Sequence, residues 1–276
     1  MILTKRNETP KNRQIEIKKE FLNRFKSLTG AKQDWQVWAD FIESAAIAIS
    51  SAMDRVQYKK RMERHQQIIS GYDREQQSTL GRMYALVVEA LNEEPEQDFL
   101  GSLYMELGLS NHWKGQFFTP YSICRMMAST QLEDAAERIA RENWISINDP
   151  ACGAGATLIA ARNELKRQRV DWPAQVVFIA QDIDYVTGLM CYVQLSLLGC
   201  AGYVVIADTI SDPLLSRGGS VLLPSFTQTQ SVWFMPAYFT EPWLWRMLGA
   251  QMDLAFKGIP DQIPAEQSLK IGECEK

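Results

Sequence analysis

"WISINDPACGAGATLIAARNELKRQ", residues 144–168, decides the fold of this chain. "WISIND" has the short apolar character of a buried strand. "DPACGAG" is a tight, glycine-bearing loop, and "GATLIAARNELKRQ" has helical spacing. The pattern then repeats. "AQVVFIAQDID" (174–184) is a second Val- and Ile-rich strand, "YVTGLMCYVQLSLLG" (185–199) a second helix and "GYVVIAD" (202–208) a third strand. Strand, helix, strand, helix, strand predicts a parallel sheet joined by crossover helices. An α/β domain therefore begins near residue 140.

Upstream the character is helical. "WQVWADFIESAAIAISSAMD" spaces Trp35, Trp38, Phe41, Ile42, Ala45 and Ile49 by three and four, the apolar stripe of an amphipathic helix. "STLGRMYALVVEALNE" repeats it with Leu80, Met83, Leu86, Val87 and Leu91, and "DFLGSLYMELGL" predicts a further short helix. These stripes are expected to be core. Downstream, "GGSVLLPSF" and "QSVWFMPAYF" are candidate strands, and "PWLWRMLGAQMDLAFKG" is a helix closed by Gly258. The expected organisation is a helical region over 1–110, an α/β domain over 111–258 and a polar, Pro-bearing tail over 259–276.

An apolar fraction of 46% with 22% charged residues is that of a globular protein with a buried core. A net charge of −4 excludes a basic nucleic-acid coat, though not local docking of DNA. Residues 1–30 carry eight Lys/Arg against three Glu, and Arg55, Lys59, Lys60, Arg61 and Arg64 form a second basic run. The plain reading of both is a solvated helix face. Five cysteines without C-x-x-C spacing, and only His65 and His112, predict no metal site. No signal-peptide h-region and no apolar run of spanning length is present, so a reducing cytoplasm and no membrane are expected.

In a doubly wound fold, ligands bind beyond the carboxyl ends of the strands. The loop Asp149–Gly155 lies there, where its glycines permit positive φ and close approach of a ligand. The helix that follows offers unpaired N–H groups to an anion. Leu158 stands where a dinucleotide fingerprint wants its third glycine. Acids end all three strands instead. Asp149 could meet a cationic group, Asp182 a ribose diol and Asp208 an adenine amino group. An ammonium, a ribose and an adenine together describe S-adenosylmethionine better than NAD.

Four stretches resemble the N6-adenine DNA methyltransferases, most closely the modification subunits of type I restriction systems. "GQFFTPYSICRMMA" (115–128) looks like the segment ahead of the sheet that contributes to the methionine end of the cofactor. "NDPACGAGATLIAA" (148–161) is similar to the family's D-P-x-C-G-x-G loop. "AQDIDYVTGLMCYVQLSLLG" (180–199) resembles its second-strand acid and helix, and "ADTI" (207–210) its adenine-contacting turn. The resemblance covers roughly residues 80–210 and implies a Rossmann-like S-adenosylmethionine-dependent methyltransferase fold. It implies Phe118, Thr119 and Pro120 flanking the methionine part, Asp149, Cys152, Gly153 and Gly155 in the loop beneath, Asp182 on the ribose and Asp208 on the adenine. It also implies DNA as substrate, with a separate specificity or partner protein. A local reading of "FFTP", compatible with this, makes Thr119 a helix cap and Pro120 the first helical residue.

The acceptor side departs from the family pattern. Its [DNS]-P-P-[FYW] motif orients the target amine and stacks the flipped adenine. No such motif is present. Asp212-Pro213 is followed by two leucines. "LLPSF" (222–226) keeps only Pro224 and Phe226 of the pattern, with Leu223 where a hydrogen-bond acceptor is needed. Asp212, Pro224 and Phe226 are the remaining candidates. Residues 211–276 are too few for a full sheet of this kind, so a shortened one is expected. The aromatics Trp233, Phe234, Tyr238, Phe239, Trp243 and Trp245 could stack bases, but read first as core or as a partner-binding face. Three functions stay open: a DNA adenine methyltransferase, a non-catalytic relative that regulates a modification system, and a methyltransferase for another acceptor.

Overall fold

The computed structural model describes residues 10–30, 32–109, 118–217 and 220–257. Five helices come first: α1 (Pro10–Leu28), α2 (Asp34–Ser50), α3 (Tyr58–Ser70), α4 (Arg74–Glu93) and α5 (Phe99–Glu106). Their starts are written locally. Asp73 and Gln76 form a reciprocal capping box at α4, and the Asp98 carboxylate accepts the Gly101 N–H at the start of α5. The stripes of α2 and α4 are buried as their spacing predicts, with two exceptions, of which the half-buried Ile49 is the milder. Trp35, in the first turn of α2, is 62% exposed, while Trp38, one turn on, is fully buried with its Nε1 directed at Met190 Sδ.

Two more helices, α6 (Tyr121–Gln131) and α7 (Ala135–Glu142), lead into β1 (Ile145–Asp149). Then follow α8 (Ala156–Arg167), the short α9 (Trp172–Gln175), β2 (Val176–Asp182), α10 (Tyr185–Leu197) and β3 (Ala201–Ile206). The expected alternation is present, and β1, β2 and β3 are mutually parallel. The sheet is mixed rather than all parallel. Its order is β1-β2-β3-β6, and β6 (Ser231–Phe234) runs antiparallel to β3. A parallel neighbour needs a crossover long enough to return the chain to its starting end. Here the chain between β3 and β6 carries only the hairpin β4 (Leu215–Arg217) and β5 (Ser220–Ser225), a separate two-stranded sheet. A 3-10 turn (Pro236–Phe239) and α11 (Glu241–Lys257) complete the described chain. Gly258 and the tail 259–276 lie outside the described residues.

β2 and β3 are covered on both faces, which explains their continuous Val/Ile runs. On one face a single apolar cluster runs from Phe21 and Trp38 through Leu86 to Phe178 and Val204, joining the N-terminal helices to the sheet. On the other, Val177, Ile179, Tyr203 and Val205 pack against Leu222, Tyr238 and Trp243. Gly202 in β3 has φ +142°, and a Cβ there would stand 1.8 Å from the Phe178 carbonyl oxygen, so only glycine fits. No helix among the described residues is long and apolar enough to cross a membrane.

Candidate functional site

The loop after β1 is built by backbone turns and two acids. The Cys152 N–H donates to the Gln181 carbonyl at 3.0 Å, and the Gly155 N–H closes a turn on the Cys152 carbonyl at 2.8 Å. Gly153 has φ +51° and Gly155 φ +95°, both in the region that side chains disfavour. Gly155 also has no room. A Cβ there would lie 2.9 Å from Cys191 Sγ. Hydrogen-bonded to Cys152 and buried in α10, the Cys191 thiol is held well above the usual thiol range.

Asp149 accepts the Ala151 N–H at 3.0 Å with one oxygen and the hydroxyl of Thr157, in the first turn of α8, with the other. Asp182 accepts the Gly153 N–H at 2.8 Å, the Asp184 N–H at 2.9 Å and the Thr187 hydroxyl at 3.2 Å. Among the described residues no side chain caps the start of α8.

Six of the residues singled out in the sequence line one cavity of ≈ 530 Å³: Phe118, Thr119, Asp149, Cys152, Gly153 and Asp182. They come from three separate stretches of chain. Phe118 packs over the loop, with its ring 3.2 Å from where a Gly153 Cβ would be, and stacks on Tyr104 of α5 at 5.8 Å. Gly115, Gln116 and Phe117 lie outside the described residues. Pro120 does not line the cavity. It is the N-cap residue of α6, with Tyr121 the first helical residue, so the reading of Thr119 as cap and Pro120 as first residue is one position early. Gly155 is buried against Cys191. Asp208 stands outside the cavity, its carboxylate accepting the Ile210 N–H and the Ser211 hydroxyl, each at 2.9 Å. Those bonds hold it below the usual carboxylate range, the Ile210 N–H contributing most. The Thr209 hydroxyl donates to the Pro150 carbonyl and ties this turn to the loop after β1.

Thr157, Ile183, Asp184, Thr187 and Asp98 also line the cavity and were not singled out from sequence. Asp98 is the least expected, because it belongs to the N-terminal helical region. It is only 6% exposed, and burial raises its carboxyl above the usual range against the opposing hydrogen bonds from Gln194 and Gly101. Gln194 of α10 donates to Asp98 Oδ1 at 2.7 Å and to the Ala154 carbonyl at 2.9 Å, while its own oxygen accepts the Leu100 N–H at 3.0 Å. The signal available in sequence was a plain one, an Asp three residues before a glycine at a helix start.

None of the three acceptor candidates lines this cavity. The Asp212 carboxylate is occupied by the Thr227 and Thr229 hydroxyls and the Gln230 amide, at 2.7 to 3.2 Å. Pro224 lies in β5 opposite Ser216. Phe226 packs edge-on against Tyr203 and Phe234, at 6.0 and 5.9 Å.

A second cavity, ≈ 1130 Å³, brings the basic run around α3 to the aromatic segment, with Arg55, Lys60 and Arg61 facing Phe226, Trp233 and Phe239. Part of that run is not a solvated face. Arg61 is 8% exposed, pairs with Asp54 at 2.7 Å and lies 3.8 Å over the Trp233 ring. Arg64 is held by both oxygens of Glu43. Of the six aromatics, Trp233, Tyr238 and Trp243 are buried core, whereas Trp245 is 65% exposed. Among the described residues no group of His, Cys, Asp and Glu could hold a metal ion.

The family described as N-6 DNA Methylase matches residues 96–252, from just before Asp98 to within α11. No curated protein matches the chain. Among solved structures, the chain is similar to a protein from Listeria monocytogenes described as a class I S-adenosylmethionine-dependent methyltransferase. The two are 16% identical with a TM-score of 0.45, over 84% of this chain and 69% of that one.

Proposed function

This chain belongs to the N-6 DNA methylase family, and we propose that it binds S-adenosylmethionine in the cavity above the loop 149–155 and acts as an N6-adenine DNA methyltransferase-like protein. One observation carries the reading. Residues 118–119, 149–157 and 182–187, distant in sequence, converge on a single cavity whose floor is a glycine loop opening a helix. Its volume suits a ligand of that size. The cofactor would supply a sulfonium-activated methyl group. Asp182 holds the ribose, with its lone pairs shared between the diol and the Gly153 N–H. Ile183, next in the chain and 71% exposed, offers the purine an apolar surface. Phe118 and Thr119 wall the methionine end. Positioning the methyl for in-line transfer is the chain's main contribution to catalysis.

DNA as the acceptor is supported by the second cavity, where Arg55 and Lys60, which form no ion pair among the described residues, lie beside Phe226 and Phe239. A second reading, a non-catalytic relative regulating a modification system, is favoured by one specific fact. Asp212, the only polar acceptor candidate, spends its oxygens on its own loop. On either reading a partner protein that reads DNA completes the function. Calorimetric titration with S-adenosylmethionine, beside Asp182→Ala, tests the pocket. Tritiated-methyl transfer to adenine-containing DNA then separates the two readings. Binding without transfer supports the regulatory one, and absence of binding by the folded protein overturns the cofactor pocket and the methyltransferase reading, leaving a function carried by contacts with partners.

A further inference from the structure

We infer that Asp98, from the helical region ahead of the sheet, is the anion that receives the ligand's ammonium group, an assignment that rests on the proposed cofactor reading. Four carboxylates line the cavity: Asp98, Asp149, Asp182 and Asp184. Two of them are bonded through both oxygens, and the third, only half-buried, caps a helix. Asp149 is divided between the Ala151 N–H and the Thr157 hydroxyl. Asp182 is bound through both oxygens to Gly153, Asp184 and Thr187. Asp184 caps α10, its Oδ1 accepting the N–H groups of Val186 and Thr187; its Oδ2 also has no partner among the described residues, but on a half-buried side chain.

Asp98 differs in its burial. It is the most buried of the four, and, like the other three, it forms no ion pair with Lys, Arg or His among the described residues. Its two hydrogen bonds, from Gly101 and Gln194, both fall on Oδ1, leaving Oδ2 without a partner among the described residues. Gly101 makes room for that oxygen, since a Cβ at 101 would stand 2.0 Å from Oδ2. A carboxylate removed from water without a cation is costly, and the same low dielectric strengthens its attraction for any cation that reaches it. An ammonium group in the cavity satisfies both conditions.

The position is consistent with the rest of the pocket. Through Gln194, Asp98 is tied to the Ala154 carbonyl, while Asp182 is tied to the Gly153 N–H next to it. The two acids therefore grip the loop from opposite neighbours, one on the side of Phe118 and α5, the other at the end of β2. The ribose and amino-acid ends of one ligand are thereby assigned to different acids. The helical region becomes part of the pocket rather than a mere support for the sheet.

The test is a cycle of two proteins and two ligands, read by calorimetry on the full chain. Wild type and Asp98→Asn are each titrated with S-adenosylhomocysteine and with its analogue in which hydrogen replaces the amino group. Asparagine keeps an oxygen for the Gly101 and Gln194 bonds, so the cap survives. The expected result is that wild type binds the deamino analogue at least about tenfold more weakly, while Asp98→Asn binds the two ligands alike. Equal affinity of wild type for both ligands overturns the assignment, even if the variant fails to fold. So does an Asp98→Asn variant that weakens both equally, because its role is then structural. Wild type that binds neither ligand overturns the cofactor reading, and this assignment with it.

Discussion

The backbone N–H of Gly153 donates to the Asp182 carboxylate at 2.8 Å, so the last residue of β2 holds the loop that follows β1. Asp182→Ala is therefore expected to loosen the loop as well as remove a ligand contact. Hydrogen bonds to a charged group contribute about 1.5–3 kcal/mol, which corresponds to a loss of roughly 10- to 100-fold in S-adenosylmethionine affinity. Amide exchange at Gly153 should quicken in the same variant. Unchanged exchange with lost affinity would mean that Asp182 serves the ligand alone.

Gly202→Ala should unfold the sheet. The substitution places a methyl group 1.8 Å from the Phe178 carbonyl oxygen and forces φ +142° on a side chain. The neighbouring strand cannot withdraw, because β2 is covered on both faces. A loss of at least about 4 kcal/mol is expected in urea denaturation. A variant within about 1 kcal/mol of wild type would show that β2 and β3 do not pack this closely.

Asp98→Asn should stabilise the free protein, and more so as pH rises. Burial puts the folded-state carboxyl above its unfolded value. Its contribution to stability is then full below the unfolded carboxyl range and is lost as pH rises through the folded value. Asparagine has no such loss. The variant's melting temperature should match wild type near ~pH 4 and exceed it by roughly 2–4 °C near ~pH 7.5. A gain that is the same at both pH values would contradict this.

Arg61→Met should cost about 3–5 kcal/mol, the usual penalty for stranding one member of a buried ion pair. Arg61 pairs with Asp54, donates to the Val232 carbonyl at 2.7 Å and lies over Trp233. It thus fastens α3 to β6. The pair variant Arg61→Met with Asp54→Leu should recover part of the loss, measured by the same denaturation curve. No recovery would assign the effect to Val232 and Trp233 instead.

The strands and helices of 145–206 were legible because each obeys one dominant local rule. β3 and the first five residues of β2 are apolar without interruption, and α8 and α10 follow glycine or Asp caps. The fourth sheet position was not legible. "SVWF" has strand character in either direction, and its antiparallel pairing with β3 depends on the hairpin before it. Trp35 and Arg61 were misread for the same reason. Helical spacing says which residues share a face but not what stands opposite, and Arg61 faces a tryptophan and an aspartate from other parts of the chain.

The sequence by itself determined the loop 149–155, the acids that end the strands and the family of which they are part, because turn chemistry and strand-end placement are local properties. Which acids share a cavity was decided only by tertiary structure. Asp208, two residues past the end of β3, accepts the Ile210 N–H and the Ser211 hydroxyl, while Asp98 from the helical region lines the pocket, held by Gln194. A carboxylate goes where its unpaired bonds and its burial are jointly satisfied. Those conditions are set by residues nearly a hundred positions away.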